Sequence, residues 1–158
     1  MTTIVSATDI TGSAEAVFDL VTSARFWPQW HPATQSVSGV TDRAYRLGDV
    51  VCERARFVDS EFDVTWRVVE HERPTRVVLM ATAAPVRIRY AFRSGDGAVA
   101  FRRELEYDEK LLALVMPATV DLQALMQAQS DDGVRRLKAL VEGLLGTERA
   151  PLTARGEQ

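Results

Sequence analysis

From Leu122 to Leu144 the chain carries one apolar stripe. Leu122, Leu125, Met126, Gln129, Gly133, Leu137, Leu140, Val141 and Leu144 recur at three- and four-residue spacing, on one face of a single helix. Pro117 suits the first turn of that helix and Gly146 suits its stop. The sequence therefore predicts about 29 helical residues, a rod of roughly 43 Å at 1.5 Å per residue. A rod with one apolar face needs a broad apolar partner, and most of what precedes it reads as strand.

The strand signals come at close spacing. Thr3–Ile10, Gln35–Thr41, Val50–Val58, Phe62–Glu70, Arg76–Thr82, Val86–Arg93 and Ala98–Tyr107 are rich in β-branched and aromatic residues. Turn chemistry separates several of them: Leu47-Gly48-Asp49, Asp59-Ser60 and Ser94-Gly95-Asp96-Gly97. Three runs alternate. Phe62, Val64, Trp66 and Val68 share a face; so do Val86, Ile88, Tyr90 and Phe92; so do Val99, Phe101, Arg103, Leu105 and Tyr107. Antiparallel strands on tight turns, with helices at the ends of the chain, make an α+β protein with one curved sheet of about seven strands. The long helix covers the apolar face that the sheet cannot bury alone.

Between the first two strands lies SAEAVFDLVTSARFWPQWHP, residues 13–32. Ser13 is an N-cap and Glu15 lies in the first turn, where the helix dipole favours an anion. Val17, Phe18, Leu20 and Val21 give the first helix, about 14–22, its apolar stripe. Ser23 opens a second short helix over Ala24–Trp30, which Pro28 limits and Pro32 ends. Two short helices after strand one, then a run of strands and a long helix, resemble the SRPBCC superfamily. Its START-like and pollen-allergen-like members have the helix-grip fold, and a polyketide cyclase/dehydrase-like member fits here. The resemblance spans residues 2 to about 145 and implies a cavity between sheet and terminal helix. It also implies three kinds of function: binding a hydrophobic small molecule such as a lipid, polyketide or isoprenoid, a polyketide cyclase/dehydratase activity using cavity Tyr and Arg groups, or a co-chaperone-like interaction module.

Size and charge narrow the classes. The 158 residues suit one domain, taken as 1–146, with 147–158 expected to be a flexible tail. A net charge of −3 gives no bulk attraction to nucleic acid or an anionic membrane. The start MTTIVSATDI lacks the basic and apolar regions of a signal peptide, and no apolar run is long enough to span a bilayer. Cys52 is the only cysteine and cannot form an internal disulfide, which suits the cytoplasm. A monomer or homodimer is expected. The Walker loop, GxGxxG, GxSxG and CxxC are missing. His31 and His71 have no ligand-spaced companions in sequence, so neither a metal nor an organic cofactor is expected.

The residues that could carry chemistry are aromatic or charged residues on inward faces. Trp27, Trp30, Trp66, Tyr90 and Phe101 either fill the core or line a pocket with polar tips. Arg103 is the most discordant, a guanidinium on an apolar face. It either reaches water at a sheet edge or anchors a ligand oxygen, with Glu53 or Arg54 as part of the arrangement. Arg103, Tyr90 and His31 are the catalytic candidates; for His31 the alternatives are packing at the cavity rim and acting as a general base. Gln129 and Gly133 interrupt the helix stripe, and an absent side chain at 133 either widens the space beneath or sits harmlessly at the surface. Arg87, Arg89, Arg93 and Arg102 face Glu104 and Glu106 either as a solvated sheet surface or as a partner or phosphate surface.

Overall fold

A computed structural model describes residues 1–114 and 121–156, the last ten as backbone alone. Seven strands form one antiparallel sheet: β1 (Thr2–Thr11), β2 (Thr34–Gly39), β3 (Val50–Phe57), β4 (Ser60–Glu72), β5 (Arg76–Ala81), β6 (Val86–Ser94) and β7 (Ala98–Tyr107). Their spatial order is β1-β7-β6-β5-β4-β3-β2. Every sequential pair from β2 onward is a neighbour, from β3 onward through connections of two to four residues, and β1 returns to pair with β7 over its whole length.

Helix α1 (Ala14–Val21) starts where expected, with Ser13 Oγ accepting from Ala16 N. A 3-10 turn (Ala24–Phe26) leads into α2 (Trp27–Trp30). The sequence also hides a short helix, α3 (Glu109–Leu112), capped by Asp108, whose side chain accepts from Lys110 N and Leu111 N. The long helix α4 (Leu122–Gly156) opens on Asp121, whose Oδ1 accepts from Ala124 N. The Pro117 start lies outside the described residues. Gly146 does not stop α4, whose helical backbone runs through it to Gly156; an interior glycine costs a helix about 1 kcal/mol without forbidding it.

α4 lies against β1 and α2. Two contacts fix its seat. Gln127 Nε2 donates to Val5 O at 2.9 Å. Gly133 lets α2 come close: a Cβ there would lie 3.3 Å from both Pro32 Cδ and Trp30 O. This corrects the idea that Gly133 enlarges the cavity, because the space at that position is occupied by α2. The core between sheet and helices includes Ile4, Ile10, Phe18, Val21, Leu79, Phe101 and Leu137, all almost fully buried.

Candidate functional site in the sheet–helix cavity

The core is not filled everywhere. A cavity of about 290 Å³ lies between the inner face of β3–β7, α2 and the first half of α4, near the lower end of typical small-molecule pockets. Its walls are mainly apolar. Leu112, Met126, Ala83 and Ala84 stand around its more exposed side. Of the expected residues, Trp27, Trp30, His31, Glu53, Trp66, Tyr90, Arg103 and Gln129 line it. Phe101 and Gly133 do not. Phe101 packs behind Tyr90 and Phe92, with ring centroids 5.5 and 5.2 Å away.

The polar groups are gathered at one corner, and strand geometry explains why. The β6–β7 hairpin pairs Tyr90 directly with Arg103, so both side chains leave the sheet on the same face. On β3, Glu53 shares its inward face with Val51, Ala55 and Phe57. It pairs with Val64 of β4, which puts Trp66 on the diagonal, and Trp66 Nε1 donates to Glu53 Oε1 at 3.0 Å. Arg103 and Glu53 lie four strand steps apart, about 19 Å along a flat sheet. One imidazole bridges them, which only a strongly curled sheet allows.

That imidazole is His31. Pro32 biases the preceding residue toward extended backbone, and His31 has φ −88° and ψ 112°. This ends α2 and sets the ring between the two charges. Arg103 donates through one terminal nitrogen to His31 Nε2 at 3.1 Å. A guanidinium only donates, so Nε2 must accept and the ring proton sits on Nδ1. Nδ1 lies 3.0 Å from Thr34 Oγ1 and 3.8 Å from Glu53 Oε2. The Thr34 hydroxyl in turn donates to Glu53 Oε2. Donors and acceptors therefore run in one sense from Arg103 through His31 and Thr34 to Glu53.

The other terminal nitrogen of Arg103 donates to Ser130 Oγ of α4 at 2.9 Å. Ser130 Oγ lies 2.8 Å from Ser6 Oγ, which lies 2.6 Å from Asp131 Oδ1. With an acceptor-only carboxylate at the far end, the hydroxyl protons point from Ser130 to Ser6 to Asp131. Arg103 is thus 2% exposed and tied to carboxylates by two chains. It neither snorkels to water nor meets Arg54, which faces outward and pairs with Glu61 and Asp63.

Electrostatics follow from this packing. His31 is enclosed by protein, yet 22% of its side chain is accessible because it borders the cavity. Burial first, and the Arg103 charge second, lower its pKa to about 3, so the ring is neutral near pH 7. Burial raises the Tyr90 phenol above its ordinary range, against the pull of Arg103. Trp27 Nε1 and Trp30 Nε1 have no hydrogen-bond partner among the described residues, and neither atom is itself open to the cavity. Sequence reasoning did not pick out Thr34, Ser6 or Ser130. The signal for Ser130 was present: it lies midway between Met126 and Val134 at four-residue spacing, a small polar residue on an apolar stripe.

On the opposite face of the sheet, Arg102 pairs with Glu104 at 2.8 Å, and Arg89 lies 3.8 Å from the same carboxylate. No helix among the described residues is long and apolar enough to cross a membrane.

A seven-stranded curled sheet closed over a long terminal helix, with two short helices after the first strand, is the helix-grip fold. Residues 1–142 match one family model, and the chain belongs to that family, polyketide cyclase / dehydrase and lipid transport, of the SRPBCC superfamily. Among curated proteins none matches. Among solved structures, the protein BH1534 of Bacillus halodurans is 15% identical, with a TM-score of 0.69 over 90% of this chain and 98% of its own. A START superfamily protein of Mycobacterium smegmatis is 14% identical, with a TM-score of 0.67 over 90% and 98%. The di-domain ARO/CYC BexL, from the BE-7585A biosynthetic pathway, is 20% identical, with a TM-score of 0.66 over 89% of this chain and 50% of BexL. At these identities the likeness is one of fold.

Proposed function

We propose that the chain binds a hydrophobic small molecule in the cavity between sheet and α4. The observation that carries this reading is the cavity itself: about 290 Å³ of apolar-walled space with one polar corner. An apolar body is held by the walls and its polar end is oriented by the corner. The family's description, which includes lipid transport, supports a role of this kind. Native mass spectrometry of gently purified protein tests it. The expected result is a non-covalent adduct that is lost on acid denaturation. Bare protein that also takes up no apolar compound on titration contradicts the reading.

One observation favours a second reading, an enzyme of the cyclase type. Tyr90 and Arg103 lie opposite each other on the wall, where both could polarise a ligand carbonyl and hold charge developing on its oxygen. In this reading Glu53 is the carboxylate available to the corner. His31 serves as a positioning residue, because both of its ring nitrogens are engaged. Tyr90→Phe and Arg103→Leu separate the two readings. Under the enzyme reading each abolishes turnover; under the binding reading each shifts affinity alone.

A further inference from the structure

The reading of the cavity as a hydrophobic-ligand site leaves open which end-group the polar corner accepts, and the inference below rests on that reading. The charged and titratable groups around the corner can be taken element by element. His31 follows α2, Glu53 is on β3, Tyr90 on β6 and Arg103 on β7; β4 adds Asp63, which is exposed at the rim. α4 presents Gln129 and Ser130, which carry no charge. The cavity wall at this corner thus holds one fixed cation and one carboxylate, with Asp131 of α4 behind the wall.

The cation is already answered twice, by Glu53 through His31 and Thr34 and by Asp131 through Ser130 and Ser6. The carboxylate is the more open of the pair: Glu53 is 7% exposed and Arg103 2%. An entering anion would meet Glu53 in a space of low dielectric while both terminal nitrogens of the guanidinium are engaged by Ser130 and His31. A neutral molecule with a carbonyl oxygen meets no such repulsion.

We propose that Glu53 makes this cavity selective for uncharged ligands bearing a hydrogen-bond-accepting oxygen, and excludes free carboxylates. An anion that does enter must bring a proton, so that the corner keeps its charge balance; Glu53 and the ligand carboxylate share it.

Calorimetric titration with naphthyl methyl ketone and with naphthoate, probes of nearly equal shape, tests this at neutral pH. It is run in two buffers of different ionisation enthalpy, on the wild-type chain and on Glu53→Gln. The wild type should bind the ketone roughly tenfold or more tightly than the carboxylate. Any naphthoate it binds should take up about one proton. Glu53→Gln should bring the affinity ratio to near unity or below and abolish the proton uptake. Equal affinities in the wild type, naphthoate binding without a proton, or an unchanged ratio in Glu53→Gln would each overturn the proposal. If Glu53→Gln does not fold, the wild-type affinity ratio and proton count decide. If neither probe binds, the hydrophobic-ligand reading fails and this inference falls with it.

Discussion

Removing the Ser130 hydroxyl takes an acceptor from a guanidinium that is almost completely buried. Ser130→Ala should therefore cost about 1–3 kcal/mol in urea denaturation, more than a serine-to-alanine change at an exposed helix position. No loss would mean that Arg103 is not held from α4. His31 gives a pH signature. The imidazole titrates near 6.5 in the unfolded chain and at about 3 in the folded one. Between those values the unfolded chain binds more protons, so this contribution to stability is fully present above about pH 6.5 and is lost as pH falls toward 3. Asp49, Glu61 and Glu142, whose pKa values are lowered from ordinary values of 3.8–4.5, act at lower pH. Urea midpoints should fall between pH 7 and 5.5 in the wild type and stay flat over that range in His31→Gln. At this scale the sequence was legible where a strand face decides the matter. Arg103 stands out as a charge among inward apolar residues, whereas the choice between Glu53 and Arg54 as its companion stayed open. The β6–β7 turn makes Tyr90 the partner of Arg103 by counting back from it. The imidazole between Arg103 and Glu53 was not legible, because it depends on how far the sheet curls.

At the scale of elements, two glycines of α4 make a controlled comparison. Replacing glycine by alanine in a helix gains about 0.8–1 kcal/mol of propensity. At Gly143 a Cβ meets nothing within 4 Å among the described residues, so Gly143→Ala should raise stability by about that amount. At Gly133 the Cβ presses on Pro32 and the Trp30 carbonyl, and strain of about 1–3 kcal/mol opposes the gain. Gly133→Ala should be neutral to destabilising, and clearly below Gly143→Ala in thermal melts. Equal stabilisation would mean that α2 and α4 are not in close contact. Strands and turns were readable because their signals are local. α3 was missed because four residues are too few to show a period, although Asp108 before Glu-Lys-Leu-Leu is a capping signal. Gly146 misled because a glycine permits a helix to end without requiring it.

At the scale of the whole molecule, the central claim is that sheet and helix enclose unfilled space. Sequence could suggest this only through resemblance. The volume is set by the curl of the sheet and the stand-off of α4, and neither leaves a local pattern. Ala81, at the end of β5 opposite Trp66, is on the cavity wall and offers the most direct test. Ala81→Leu adds bulk there. Two readouts are taken on it together: urea stability and calorimetric affinity for naphthyl methyl ketone. If the space is hollow and is the binding site, stability should hold or rise by up to about 2 kcal/mol, while affinity drops roughly tenfold or more. A loss of about 1–3 kcal/mol, the mark of an overfilled core, with ketone affinity unchanged, would contradict the account.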